Sequence, residues 1–275
     1  MMTTTLRPTG PLQRSADGGK ARTYDVCVNS RPVGSIALAT DEVFGPGVCR
    51  VRDLRIAEPD RGRGRATVAA LAAEEVARGW GCRRIEADVP AGATGALRLA
   101  TALGYVERNR RMTKPVRDEP AALPVGVEGR PMTEDEYGTW LARAKREYAR
   151  SWIDRGVPEP EAYAKAEADH AAGLPYGVAT PDVVLDVLTE DGESVGVLWL
   201  TLGDGDAFVH DVAVDQRYRG RGHGRSLMLL AEARARAAGR ARIGLNVFAG
   251  NAPALCLYDS LGYEPVTYSL YKPLL

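Results

Sequence analysis

The 275-residue sequence has no excess charge of either sign: 36 Lys and Arg are balanced by 36 Asp and Glu. Proteins that hold nucleic acid or membrane surfaces without specificity neutralise phosphates with a basic excess, so neither is expected as a partner. Lysine is scarce, being confined to Lys20, Lys114, Lys145, Lys165 and Lys272, and arginine supplies the remaining positive charge. Cysteine is scarce as well. Cys27, Cys49, Cys82 and Cys256 lie far apart, form no C-x-x-C pair and have no histidine cluster nearby, which excludes a disulfide framework and a zinc site and marks them as reduced core thiols. No stretch of about 18 apolar residues is present to cross a bilayer, and the Thr-, Gly- and Pro-containing start of the chain lacks the apolar run of a secretion signal. The expectation is a cytoplasmic chain without a metal. What is present, 45 % hydrophobic and 26 % charged residues, describes a globular protein whose length predicts about two domains and a small-molecule ligand.

An internal repeat organises the chain. VRDLRIAEPDRGRGRA from Val51 recurs as VHDVAVDQRYRGRGHG from Val209, and the offset of 158 then holds without a gap. It aligns Asp53 with Asp211, Arg61-Gly62-Arg63-Gly64 with Arg219-Gly220-Arg221-Gly222, Leu99 with Leu257, Gly104-Tyr105 with Gly262-Tyr263, and Lys114-Pro115 with Lys272-Pro273. A repeat this long holds several strands and helices and closes its own core. Two copies of one fold are therefore expected, at residues 1–115 and 125–275, joined by a linker at 116–124 that contains Pro120 and Pro124.

Upstream the offset changes. Val33-Gly34 matches Val195-Gly196 at 162, whereas Arg7-Pro8 matches Arg130-Pro131 at 123, so the second copy carries 39 extra residues after its first strand. The insertion reads as helical. Thr133 and Glu136 form a capping box ahead of Tyr137, Trp140, Leu141, Ala144, Tyr148 and Trp152 at helical spacing. Residues 158–172 read as a second helix, closed by Gly173 and Pro175. The first copy has only TGPLQRSADGG in this place and lacks both helices. Downstream, strands are predicted at 183–188 and 195–200 around an Asp191-Gly192 turn, and at 208–214, 243–248 and 266–271, with helices at 225–238 and 254–261.

The chemistry lies after the 208–214 strand. RYRGRGHGRS runs from a strand into a helix, so Gly220, Gly222 and Gly224 put exposed backbone N–H groups at a helix N-terminus while Arg219, Arg221 and Arg225 add charge: an anion cradle that admits a diphosphate. It is not a Walker A loop, which needs Gly-Lys followed by Ser or Thr. Nor is it a dinucleotide fingerprint, because residues 242–247 offer no acid for a ribose.

In these residues the sequence resembles the GCN5-related N-acetyltransferases, whose R/Q-x-x-G-x-G/A loop binds the pyrophosphate of acetyl-coenzyme A. Arg219, Arg221, Gly222 and Gly224 fit it, and the likeness spans nearly all of 125–275, including Asn251 in NAPALCLYDSLGY and Tyr258 seven residues later. Residues 6–115 resemble the same family with erosion. The resemblance implies an α/β (α+β) chain of two tandem acetyltransferase folds, each a mixed, mostly antiparallel twisted sheet flanked by helices, the first copy degenerate and the second catalytic. It implies that the backbone of Val212, Ala213 and Val214 holds the pantetheine arm, although those residues also read as a plain core strand. It makes Tyr258 the acid for the departing thiolate, or else a helix tyrosine packed on the sheet. Asn251 is a coenzyme contact or simply an N-cap.

For the base, His210, Asp211 and a bound water remain open: Asp211 recurs as Asp53, which favours structure, whereas His210 is Arg52 in the first copy. His223 sits in the loop as a backbone position, and His170 reads as solvated on a polar helix. The first copy keeps Arg61, Gly64 and Ala66 but has Ala100 for Tyr258 and Ala93 for Asn251, a cradle without its acid. The resulting expectation is acetyl transfer from acetyl-coenzyme A to a small-molecule primary amine by a monomer or homodimer. The rivals are a non-catalytic acyl-coenzyme A binder and a transferase for another acyl chain or acceptor.

Overall fold

The sheet of each half is built from consecutive antiparallel neighbours followed by one parallel crossover. The computed structural model describes residues 4–119 and 122–274; Pro120 of the expected linker lies outside them. The chain divides into two compact units, one running to Asn109 and resuming at Thr267, the other covering Arg110–Val266.

In the first unit, β1 (Thr4–Pro8) leads through the two-residue β2 (Gln13–Arg14) into β3 (Lys20–Val28), with no helix between them. Then come β4 (Arg31–Asp41), β5 (Gly45–Ile56), α1 (Arg65–Gly79), β6 (Arg84–Pro90) and α2 (Thr94–Ala102). Strand order is β1-β3-β4-β5-β6 and then β13 (Glu264–Pro273), which lies antiparallel on β6 from Thr267↔Pro90 to Pro273↔Arg84. The second unit takes the end of β7 (Val106–Pro115) and continues with β8 (Val127–Pro131), α3 (Glu134–Ile153), α4 (Glu159–Gly173), β9 (Val183–Glu190), β10 (Glu193–Thr201), β11 (Ala207–Val214), α5 (His223–Ala237), β12 (Arg242–Phe248) and α6 (Ala252–Ser260). Its strand order is β7-β12-β11-β10-β9-β8. These are the elements the repeat predicts, in the predicted order: two mixed sheets flanked by helices, the first without the two inserted helices. None of the helices in the described residues is long and apolar enough to cross a membrane.

Local chemistry accounts for the elements. The Thr133 hydroxyl accepts from the Glu136 N–H, and the Glu136 carboxylate accepts from the Thr133 N–H at 2.9 Å, which starts α3. Gly196 recurs as Gly34 because strands meet closely there: a Cβ at Gly196 would lie 2.7 Å from the Ala213 carbonyl, and one at Gly34 would lie 2.1 Å from that of Arg55. Cys27, Cys49 and Cys82 are buried thiols, but Cys256 is exposed on α6, a correction to its reading as a core residue. Helix periodicity turns it outward.

The compact units differ from the repeat boundaries at 115 and 125, because each unit ends on a strand supplied by the other repeat. The ion pairs that accompany this are themselves repeated. Lys114 donates to Glu232 at 2.6 Å, and Lys272 donates to Glu74 at 2.7 Å, four residues related by the same 158-residue offset. Met112, fully buried, completes the core around Leu188, Leu198, Leu227 and Ile243, while Leu270 and Leu274 join that around Ile36, Leu38 and Ile85.

Both side chains of the Lys114–Glu232 pair are about nine-tenths or more buried, at 5 % and 4 % exposure. Lys114→Ala strands the Glu232 charge, which still accepts from the Arg117 N–H at 2.9 Å. The expected loss of stability is about 3 kcal/mol, the lower end for breaking a buried pair. Urea denaturation measures it, and adding Glu232→Gln, which removes the stranded charge and keeps an acceptor, is expected to recover part. An unchanged midpoint in Lys114→Ala would deny the pair this role.

Candidate active site

β11 keeps β10 along its length, from Thr201↔Phe208 to Gly196↔Val214, but it pairs with β12 only at Ala207↔Ile243, Phe208↔Gly244 and Val209↔Leu245. Beyond Val209 the two strands part. The backbone of Val212, Ala213 and Val214 thus has a free edge on which an extended ligand can pair like an added strand. At the apex lies a bulge: Trp199 pairs with Asp211 and Leu200 with Val209, leaving His210 as the extra residue. A bulge of this kind aims two successive side chains at one face. Here His210 stacks on Trp199, at 4.5 Å between ring centroids and 22°, and Asp211 lies beside Trp140.

The glycine loop closes the open end of the V. Gly220 and Gly222 have φ of 79° and 90°, the left-handed region that other residues enter only at a cost, and nothing lies within 4 Å of a Cβ at either position. Gly222 is the N-cap of α5 and supplies no side-chain cap; the N–H groups of Arg225 and Ser226 bond its carbonyl. Those of Gly222, His223 and Gly224 meet no acceptor among the described residues, leaving donors convergent on an open cradle. This arrangement fits a diphosphate.

The side chains around the cradle differ in role. Arg219 and Arg221 are exposed, the first reaching the Val214 carbonyl at 3.4 Å and the second lying 5.5 Å from the Tyr218 ring centre, whereas Arg225 donates to the Ser260 hydroxyl at 2.6 Å. His223 turns its buried ring inward, with Nε2 3.5 Å from Glu190, and offers the loop only its backbone. At Gly224 a Cβ would lie 3.3 Å from Leu257 of α6, so the small residue sets the approach of the two helices. Asn251 caps α6, its Oδ1 accepting from the Ala254 N–H at 3.3 Å.

Two faces of β11 carry different groups. Val212, Val214, Tyr218, Leu257 and Tyr258 pack on the α5-side core. Burial pushes the Tyr258 hydroxyl up to about 12, with the Asp211 carboxylate adding to the shift, so it stays protonated at neutral pH. On the opposite face, α3 and α4 place an aromatic chamber over Trp199. Trp140 meets it edge-on at 5.9 Å and His170 lies 5.2 Å away, so that His170 and His210 both flank the same indole. Tyr148 extends the chamber to Trp152 and on to Phe248.

His170 is buried, with Nδ1 2.8 Å from the Ala166 carbonyl, which corrects its reading as a solvated residue: one turn of α4 faces the chamber although most of the helix is polar. Burial pushes Asp211 up to about 6, the nearby Glu147 carboxylate adds to the shift, and the Trp140 indole and Arg143 oppose it. Burial among these rings lowers His210 to about 4, with His170 contributing, even though one edge of His210 meets solvent; its Nε2 lies 2.8 Å from the Thr201 hydroxyl. Among the described residues no group of His, Cys, Asp or Glu is arranged to hold a metal.

The acetyltransferase (GNAT) family model matches residues 5–105 and 141–263, the two stretches that hold this split strand pair and glycine cradle and the second copy of both. The chain belongs to the acetyltransferase (GNAT) family. Among curated relatives it is 30 % identical to the uncharacterized N-acetyltransferase YdgE of Bacillus subtilis over 149 residues, 52 % of this chain and 95 % of that protein. To YycN of the same organism it is 27 % identical over 150 residues, 52 % of this chain and 96 % of that one. Two solved structures share the fold over nearly the whole chain. One is a tandem GNAT protein from the clavulanic acid biosynthesis pathway, at 20 % identity, a TM-score of 0.50, and coverage of 95 % of this chain and 85 % of that one. The other is a GCN5-related N-acetyltransferase from Sphaerobacter thermophilus, at 17 %, 0.55, 92 % and 80 %.

The first GNAT copy repeats the framework with different side chains around it. Its β5 and β6 pair only as far as Val51↔Ala87, its Gly62 and Gly64 have φ of 70° and 72°, and a cavity of about 230 Å³ lies at this loop. In this copy, however, Ala100 stands for Tyr258, Ala37 for Trp199 and Arg52 for His210, and the N-cap of α2, Ala93, makes no side-chain cap.

Proposed function

We propose that the second repeat transfers an acetyl group from acetyl-coenzyme A to a primary amine of a small molecule by direct attack on the thioester, and that the first repeat is a non-catalytic scaffold. The observation that carries this reading is the convergence on one cleft of a free strand edge, an open glycine cradle at one end, and Tyr258 and Asp211 on opposite faces of the strand at the other. The loop N–H groups with Arg219 and Arg221 hold the diphosphate, and the β11 edge aligns the arm that carries the thioester. Tyr258, protonated throughout the neutral range, donates to the departing thiolate. Of the open candidates for the base, Asp211 is the best placed. At about 6 it is a stronger base than His210 at about 4 and is ionised at neutral pH, and it lies on the α3 side, where the amine approaches. His210 and Trp199 form the wall of the acceptor chamber.

Release of coenzyme A thiol over pools of amines tests the activity, and its pH dependence tests the base. kcat/KM is expected to rise with pH up to about 6 and then level off, and Asp211→Asn is expected to remove that limb with a loss of about 10²-fold. Stability moves the other way. A carboxyl with a raised folded-state value binds its proton more tightly folded than unfolded, so this group's contribution falls as pH rises from about 4 to about 6. Asp211→Asn is therefore expected to melt higher than the wild type at pH 8. A variant that is both less active and less stable would argue for a structural carboxylate instead.

A further inference from the structure

On the α3 side of the same sheet lies a cavity of about 530 Å³, the size of a small-molecule site, walled by α3 on one side and β9 and β10 on the other. Met132, Val187, Val197 and the Trp140 ring give it an apolar floor. Its charged groups are unevenly engaged. Glu136 is held by Arg130 at 2.6 Å and Asp215 by Arg217 at 3.2 Å. Arg143 and Arg146 also line it, one turn apart on α3, and neither has an ion pair or hydrogen bond to any described residue. The remaining carboxylate, Asp135, sits in the first turn of α3, where the helix dipole stabilises it. Two arginines without an ion pair or hydrogen bond thus line one cavity, Arg146 at its solvent-exposed edge. They are also close to the chemistry, since Trp140 lines the cavity and lies beside Asp211, and the Arg143 charge acts on both Asp211 and Asp215.

We infer that this cavity receives a carboxylate on the acceptor, so that the substrate is an amine of amino-acid type whose carboxylate pairs with Arg143 and Arg146 while its amino group is directed to Asp211. Arginine is suited to this task because its planar fork binds a carboxylate through two parallel hydrogen bonds. The apolar floor then takes an aliphatic or aromatic side chain. The inference rests on the acyl-transfer reading and names its acceptor class. It also separates roles along α3: Trp140 bounds the chamber, and Arg143 and Arg146 set specificity.

The test compares acceptors that differ only in the carboxylate: L-phenylalanine, L-phenylalaninamide and phenethylamine, with the corresponding leucine series. Transfer is read by thiol release, and binding is read separately by the intrinsic tryptophan fluorescence of the full chain. The amino acid is expected to have a KM about 10- to 100-fold below its amide and its decarboxylated amine, the range for hydrogen bonds to charged groups. Arg143→Gln with Arg146→Gln is expected to erase that difference by raising KM for the amino acids, leaving KM for acetyl-coenzyme A unchanged. It is also expected to move the pH limb assigned to Asp211 upward, since the Arg143 charge that holds it down is gone. Amides that serve as well as acids would overturn the inference. So would a double variant whose defect lies in KM for acetyl-coenzyme A, since the arginines would then serve the coenzyme. If no amine is acetylated but the amino acids bind better than their amides through these arginines, the transfer reading fails and the carboxylate site stands. No preference for the carboxylate in either readout sinks the site.

Discussion

Tyr258→Phe is expected to lower kcat by about 10²–10⁴-fold while leaving coenzyme A affinity unchanged within about two-fold. The phenyl ring keeps the packing of the native side chain, 5.8 Å from Tyr263 and against the α5-side core, so the variant removes a proton donor and little else. Burial holds the native hydroxyl at about 12, well above any working pH, so no titration of this group limits the rate in the neutral range. The pH profile of the residual activity should accordingly keep the limb near 6 assigned to Asp211. Steady-state kinetics at saturating acceptor, calorimetric titration with coenzyme A and a thermal melt separate the possibilities. Turnover at the wild-type rate in a variant that binds normally would assign the proton to water.

Much of the fold was legible because the chain states it twice. A gapless 158-residue offset fixes equivalent strands and helices whatever their individual propensities, and the change in offset upstream locates the two inserted helices. Local signals supplied the rest. The Thr133–Glu136 capping box starts α3, and Asp191 and Gly192, with φ of 52° and 85°, form the tight turn between β9 and β10. The exchange of last strands was not legible. Lys114 and Lys272 are equivalent, as are Glu74 and Glu232, so either lysine could pair with either glutamate by chemistry alone. A repeat shows which segments correspond; it is silent on which copy a strand completes.

The site divides in the same way. Its glycine loop is contiguous in sequence, and a strand followed by alternating glycines and a helix is readable as a cradle. The aromatic chamber over Trp199, the proposed acceptor end, is assembled from β10, β11, α3 and α4, and three of its features leave little trace in the chain. The bulge that turns His210 and Asp211 to one face depends on strand register. His170 is buried by one turn of a helix that is otherwise polar. Gly173, readable as a helix stop, leaves room for Trp199: a Cβ there would lie 2.6 Å from the indole. Arg143 and Arg146 were hidden among the charges of α3, and only the cavity distinguishes them from a solvated face.

Gly222→Glu is expected to weaken coenzyme A binding on the order of 10³-fold, since it sets a carboxylate against the phosphates and like charges so placed cost several kcal/mol. The position carries a second penalty, because a side chain at φ of 90° costs about 1–2 kcal/mol of backbone strain. Gly64→Glu in the first repeat provides the control, having nearly the same conformation, φ of 72°, and similarly open surroundings. If strain alone mattered, both variants would lose similar stability and similar activity. The expected result is that they lose similar stability but differ in function: Gly222→Glu abolishes transfer, whereas Gly64→Glu retains kcat/KM, because the first cradle has Ala100 in place of the acid. Calorimetric titration and thiol release on both variants, with Gly222→Ala to isolate the strain, make the comparison. A large loss of activity in a folded Gly64→Glu protein would mean that the first loop binds a coenzyme the reaction needs, and the scaffold reading of the first repeat would have to be abandoned.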